Sequence, residues 1–292
     1  MTTWQADFFR RPLHDPHGKP LWELVICDAA EVRSIAWCSQ PEANSVWLTA
    51  QLKQAATDLP DRIQVFRPQS VSLLEAACRP LGIAVEPTRH TPTLKKLLQA
   101  RAREYAAMPG YTGQSYDPIA LDQPPPLPLP DNLWGEQWRF AAIAASELEP
   151  VFRGRAIPIL SMPESRLPIR LQIASTTPIP GVVIDGGRRS MVLAQWLQSI
   201  APVALRYVPG QPDGLILEAG LVDRWVLATF DDAEMMRAAR SFGDRLISSQ
   251  GVHFLLVQPD DSGKTYSGFW LLQAETFNGE VGTFNPHPQL LT

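Results

Sequence analysis

The sequence predicts an α/β protein built from two mixed α/β domains, and three observations carry that expectation. A chain of 292 residues is too long for one small hydrophobic core. Short apolar runs of strand length alternate with stretches whose apolar residues recur at helical spacing. A proline-rich break over residues 108–132 separates two such series. The expected layout is an N-terminal α/β domain over 1–107, a linker over 108–132 and a C-terminal α/β domain over 133–292.

In the first series, residues 4–11 and 21–27 read as strands joined by the turn-rich His14-Asp15-Pro16-His17-Gly18-Lys19-Pro20. A third strand is expected over 35–38. Residues 45–58 then read as a helix capped by Ser45, with Val46, Leu48, Leu52 and Ala56 as its apolar stripe. A strand over 63–66, a helix over 70–78 and a strand over 83–86 follow. A longer helix over 91–107 starts at Thr91-Pro92, with proline at the first helical position. Three strands and then helix–strand–helix–strand–helix is the order of an RNase H-like domain. A nuclease of that kind needs several carboxylates around two divalent metals. Asp7 in the first strand is one candidate, but residues 63–66 carry no acid and the first helix offers only Asp58 at its end. A binding scaffold without a full catalytic carboxylate set is the expectation.

Proline fixes φ and removes backbone donors, so residues 108–132, with Pro124-Pro125-Pro126-Leu127-Pro128-Leu129-Pro130, are expected to be extended. Beyond them come a short helix over 133–145, irregular strands through 157–173 and a strand over 182–184. A helix over 190–200 and strands over 203–208, 215–218 and 225–230 follow. The clearest helix spans 231–249, with Asp231 and Asp232 at its N-terminus and Gly251 as its stop. Strands over 252–257 and 268–272 complete the series.

The net charge of −4 excludes a non-specific polyanion binder, so any nucleic-acid site must be a local basic patch. Cys27, Cys38 and Cys78 have no metal-type spacing and read as buried free thiols of a reducing compartment. No apolar run approaches the eighteen or so residues of a membrane span, and no membrane insertion is expected. Strand sequence starts at Trp4 with no leader-type segment before it, which points to a cytoplasmic protein. His14, His17 and Asp15 are too few for a built metal site, and no hydrolase elbow or zinc helix is present. The expectation is therefore a non-enzyme with no cofactor and no metal.

Four sets of residues have the composition of an RNA site. Gly186, Gly187, Arg188, Arg189 and Ser190 follow an apolar strand and open a helix. They form either a phosphate-binding turn with outward amides or an ordinary glycine turn with solvated arginines. Phe8, Phe9, Arg10 and Arg11 interleave rings with charge, and strand alternation sends one ring to the core and leaves the other as a base-stacking platform. Lys96 and Arg103 align on the helix after Thr91, and Arg237 and Arg240 lie three apart on the C-terminal helix. Trp4, Trp22, Trp225 and Trp270 are expected in cores.

Two pairs of aromatic-rich signatures name a family. They are Trp4-Gln5-Ala6-Asp7-Phe8-Phe9-Arg10-Arg11-Pro12-Leu13 with Pro20-Leu21-Trp22-Glu23-Leu24, and Trp225-Val226-Leu227-Ala228-Thr229-Phe230 with Gly268-Phe269-Trp270-Leu271-Leu272. Together they resemble the Tab/Atab-type RNA-binding proteins of cyanobacteria and plastids. The resemblance implies binding of a single-stranded messenger leader and promotion of photosystem messenger translation or photosystem biogenesis, with translation or assembly factors as partners. It transfers no catalytic residue. The lack of a transit-type leader makes a bacterial member the expectation. Two other classes remain open. One is a metal-dependent nuclease-like protein using Asp7 with Asp185 or Glu218, and the other is a protein-interaction scaffold for photosystem assembly.

Overall fold

The computed structural model describes residues 2–274, 276–277 and 280–281. Two compact α/β units are present, spanning 1–122 and 123–292. In the first, strands β1 (Thr3–His14), β2 (Pro20–Cys27) and β3 (Val32–Ser39) form an antiparallel meander. Helix α1 (Ser45–Ala55) leads to β4 (Arg62–Val65), α2 (Pro68–Cys78) to β5 (Ala84–Pro87), and α3 (Pro92–Tyr105) closes the series. Strand order is β3-β2-β1-β4-β5, with β4 parallel to both β1 and β5. Each expected element of this unit is present within a few residues of its expected ends. The cap of α1 differs: the Asn44 side chain accepts from the amides of Val46 and Trp47, and Ser45 is already helical.

Period-two alternation divides this sheet into two faces. Trp4, Ala6, Phe8, Leu24 and Ile26 pack with Leu48 and Leu52 of α1 and Leu74 and Ala77 of α2. Val25 and Cys27 pack with Leu94 and Leu98 of α3. Asp7, Phe9 and Arg11 on β1, and Glu23 on β2, share the parity of this second face.

The second unit holds two sheets. One has the order β7 (Gln137–Ala144), β9 (Pro178–Asp185), β13 (Val252–Gln258), β14 (Gly268–Gln273), β8 (Ile159–Ser161). The other has the order β10 (Pro202–Val208), β11 (Asp213–Ala219), β12 (Asp223–Phe230), β6 (Leu127–Pro128). Helices α5 (Ser190–Ile200) and α6 (Ala233–Ser248) contribute Leu193, Leu197, Phe242 and Leu246 to the core shared with both sheets. Helix α4 (Ala145–Arg153) covers the opposite side of the first sheet through Leu148 and Phe152.

Two expectations change here. Residues 133–145 are not a helix: after a 3-10 turn at Asp131–Leu133 they run as β7, paired antiparallel to β9 from Gln137 to Ala144. Pairing with a buried strand overrides the helix preference of its alanines. Residues 108–132 are not one extended linker either. Residues up to 122 fold back on the first unit, where Ile119 and Leu121 pack on the Val25–Leu98 cluster. In the second unit, Leu127 and Pro128 lie against β12, and Leu129 and Leu133 enter the core. Apolar side chains between the prolines anchor the segment. The four expected core tryptophans, Trp4, Trp22, Trp225 and Trp270, all pack on the cores, and all three cysteines are buried and free.

Candidate nucleic-acid interface

In the first unit, the most charged place is inside. Asp7 and Glu23 are fully buried and held by three arginines. Arg11 bridges them, with Nη2 3.0 Å from Asp7 Oδ2 and Nε 2.8 Å from Glu23 Oε2. Arg67 Nε lies 2.9 Å from Asp7 Oδ1, and Arg101 Nε donates to Glu23 Oε1 at 2.8 Å. The Tyr105 hydroxyl also donates to Glu23. Arg67 donates further to the carbonyls of Pro118, at 2.7 Å, and Ala120, at 3.1 Å. Arg11 reaches the Tyr116 hydroxyl at 2.9 Å. Burial disfavours the Arg11 cation, but Asp7, Tyr116, Tyr105 and Glu23 more than offset this, so its pKa lies above the usual arginine range. Burial beside Glu23 likewise keeps the Tyr105 hydroxyl protonated.

This arrangement removes two residues from the candidate RNA surface. Phe8 is the core ring, with Trp22 and Trp47 at centroid distances of 5.2 and 5.7 Å. Arg11 is buried in the ion cluster and unavailable to a phosphate. Phe9 is half-buried, with the Arg67 guanidinium 4.0 Å above its ring, and only Arg10 is exposed. Lys96 and Arg103 are exposed on α3. On α6, Arg237 and Arg240 are exposed, and Arg240 hydrogen-bonds Tyr207.

The glycine turn of the second unit joins β9 to α5 through a 3-10 turn at Gly187–Arg189. Four of its five amides are turned inward. Gly186 N donates to Gln258 O at 2.8 Å, Gly187 N to Pro259 O at 2.9 Å and Arg189 N to Gly186 O at 3.0 Å, while the Ser190 amide returns to Gly187 O. The expected backbone nest is therefore closed, because the turn is tied to the end of β13. Gly187 has φ +54°, and a Cβ there would run into the Glu136 carboxylate. Ser190 is buried; Arg188 and Arg189 are exposed. Positive charge at this turn comes from side chains rather than from amides.

Beside it lies a feature that sequence reading missed. Trp134 is 47% exposed. It borders a shallow apolar notch of about 30 Å³, lined among others by Leu129, Leu133, Trp138, Ile184 and Leu193. Its indole N–H donates to Leu129 O at 3.2 Å, which fixes the ring by its polar edge. Gly135 lets the chain lie against β9: a Cβ there would stand 2.6 Å from Ile184 Cγ2. The Trp134-Gly135-Glu136 segment thus sits directly against Ile184 to Gly187. The signal was a Trp-Gly pair directly after a proline run.

The acids considered for metal chemistry are all engaged. Asp185 accepts from Arg139 at 2.5 Å and Gln258 at 2.8 Å, and Glu218 accepts from Arg206 at 2.9 Å. Among the described residues, no three His, Cys, Asp or Glu side chains converge as a metal site, and no helix is long and apolar enough to cross a membrane.

Both units match one family. Residues 3–101 match the N-terminal domain of RNA-binding protein Tab2/Atab2, and residues 116–273 match its C-terminal domain. A Zea mays protein, "Protein TAB2 homolog, chloroplastic", is 32% identical over 289 residues, covering 92% of this chain and 70% of that one. The Arabidopsis thaliana protein of the same description is 30% identical over 285 residues, covering 92% and 74%. Among solved structures, the HTLV-2 integrase catalytic core domain aligns with 37% of this chain and 76% of its own. Its 16% identity and TM-score of 0.24 carry no argument about fold.

Proposed function

Since the chain belongs to the Tab2/Atab2 family of RNA-binding proteins, we propose that it is a non-enzymatic factor that binds single-stranded messenger leaders and promotes translation of photosystem subunits and photosystem biogenesis. It acts in the cytoplasm of a cyanobacterium, with translation or assembly factors beside it. The observation that carries this reading is the match of residues 3–101 and 116–273 to the two domains of one RNA-binding family. The first unit serves as an RNase H-like scaffold, a reading supported by its element order and its β3-β2-β1-β4-β5 sheet. Its strand carboxylates are held by arginines, a composition suited to stability rather than to metal-assisted cleavage.

RNA contact is assigned to the exposed cations, with Arg188 and Arg189 first and Arg237 with Arg240 as the second patch. Titrating labelled leader RNA by fluorescence anisotropy at several salt concentrations tests the reading. Affinity falls as salt rises, with a log–log slope of about −0.7 per phosphate contacted. Arg188→Ala with Arg189→Ala flattens that slope by roughly 0.7 to 1.4. Salt-independent binding, or an unchanged slope in the double variant, removes this site. Labelled RNA incubated with magnesium stays intact; cleavage that tracks the purified protein would overturn the non-enzymatic reading.

A further inference from the structure

We propose that the exposed ring of Trp134 stacks on one unstacked base of single-stranded RNA, with the neighbouring phosphates on Arg188 and Arg189. The proposal rests on the RNA-binding reading above and deepens it by naming where a base, rather than the backbone, is held.

Three observations converge. First, Trp134 is the kind of surface a base stacks on: a large ring, nearly half exposed, on a protein whose other signature tryptophans pack on the cores. Its hydrogen bond to Leu129 O holds the ring before any ligand arrives, which lowers the ordering cost of binding. Second, the notch beside the ring is apolar and too shallow to hold a base, so it extends the apolar edge of the stacking surface and offers no partner for a charged group. Third, the cations are next door. Gly135 rests on Ile184, Glu136 rests on Gly187, and Arg188 and Arg189 extend from that same turn. Arg139, nearby on β7, is paired with Asp185 and so neutralises that acid.

An exposed indole ring beside exposed guanidiniums matches the two chemistries of a nucleotide, a π-face and a phosphodiester. A duplex cannot use it, because its bases are stacked on one another. The Glu136 carboxylate stands against Gly187 and works against the phosphate. The site should therefore be of modest strength and selective for RNA that is already unpaired.

The test uses the full chain and a roughly 12-nucleotide single-stranded RNA, compared with the same sequence as a duplex. Trp134→Ala is expected to weaken single-strand binding about 5- to 150-fold with the salt slope unchanged, the complement of the Arg188→Ala and Arg189→Ala result. Trp134→Phe keeps a stacking ring and most of the affinity. Circular dichroism shows whether each variant is folded. Photocrosslinking of iodouridine-labelled RNA to the unmodified protein gives an independent readout, with attachment expected at Trp134 or Trp138. If Trp134→Ala folds and binds as the parent does while the arginine variant weakens, the base site is overturned and RNA binding stands. Crosslinks confined to the first unit, or equal affinity for duplex, overturn it as well. A protein that binds no single-stranded RNA removes both readings together.

Discussion

Arg11 bridges two buried carboxylates, and its loss would leave Asp7 with Arg67 and Glu23 with Arg101 in a buried place. Breaking a buried pair from one side is far costlier than losing a surface pair. Arg11→Ala should lower the unfolding free energy by about 3 kcal/mol, whereas Arg33→Ala, whose guanidinium meets Asp28 at the surface, should cost far less. Urea unfolding midpoints separate the two. The cluster was only partly legible. Asp7 stood out as an acid on an apolar strand, but Arg11 read as a cation available to RNA, because burial of a charge depends on partners far along the chain. His253 gives a second residue-scale outcome. Its Nε2 accepts from the Leu205 amide at 2.8 Å, its Nδ1 faces Gly251 O, and full burial pushes its pKa from 6.5 down to about 4. The unfolded chain takes a proton that the folded one refuses. Stability is therefore complete above about pH 6.5 and falls as pH drops towards 4, by about 3 kcal/mol in all. His253→Gln keeps an acceptor for Leu205 and should flatten that part of the stability–pH curve.

Helix and strand ends show how element boundaries are set by single positions. Gly187 and Gly251 both have positive φ, +54° and +80°, yet they should respond differently to alanine. At Gly187 the added Cβ meets the tip of the exposed Glu136 side chain, which can swing away, so the backbone conformation alone costs about 1 kcal/mol. Gly187→Ala should therefore cost the same with or without Glu136→Ala. At Gly251 the Cβ would stand 2.3 Å from the Ala274 carbonyl oxygen, a main-chain atom of the adjoining strand end. Gly251→Ala should be the more damaging by thermal unfolding. Gly251 was legible as the stop of α6, and Asp232 caps that helix through the Met235 amide. Strand β7 was not legible, since Ala141, Ala142 and Ala144 suit a helix equally well and only its pairing with β9 decides the matter. The same loss hid the interface: Trp134 and Arg188 are far apart in sequence, and their meeting depends on β7 lying beside β9.

At the scale of the whole molecule, two units and their order were readable from alternating periodicity, because each unit's core is assembled largely from neighbouring elements. The division of the proline-rich stretch was not, since its anchors are a few leucines and an isoleucine among turn-forming residues. Limited proteolysis should cut first near Asp122 and Gln123, where the chain is exposed, and leave two fragments that each keep their circular dichroism. The strap formed by residues 108–122 has a consequence for the order in which the protein is made. Arg67 finds its carbonyl partners 51 and 53 residues downstream, at Pro118 and Ala120. At cellular synthesis rates of about 5–20 residues per second, that delay is roughly 3 to 10 seconds. Throughout it, the nascent sheet has Asp7, Glu23, Arg11 and Arg67 but not the segment that carries those carbonyls. The first unit can lock only as the second begins to emerge, so one short stretch acts as a clock that sets the two folding events in sequence.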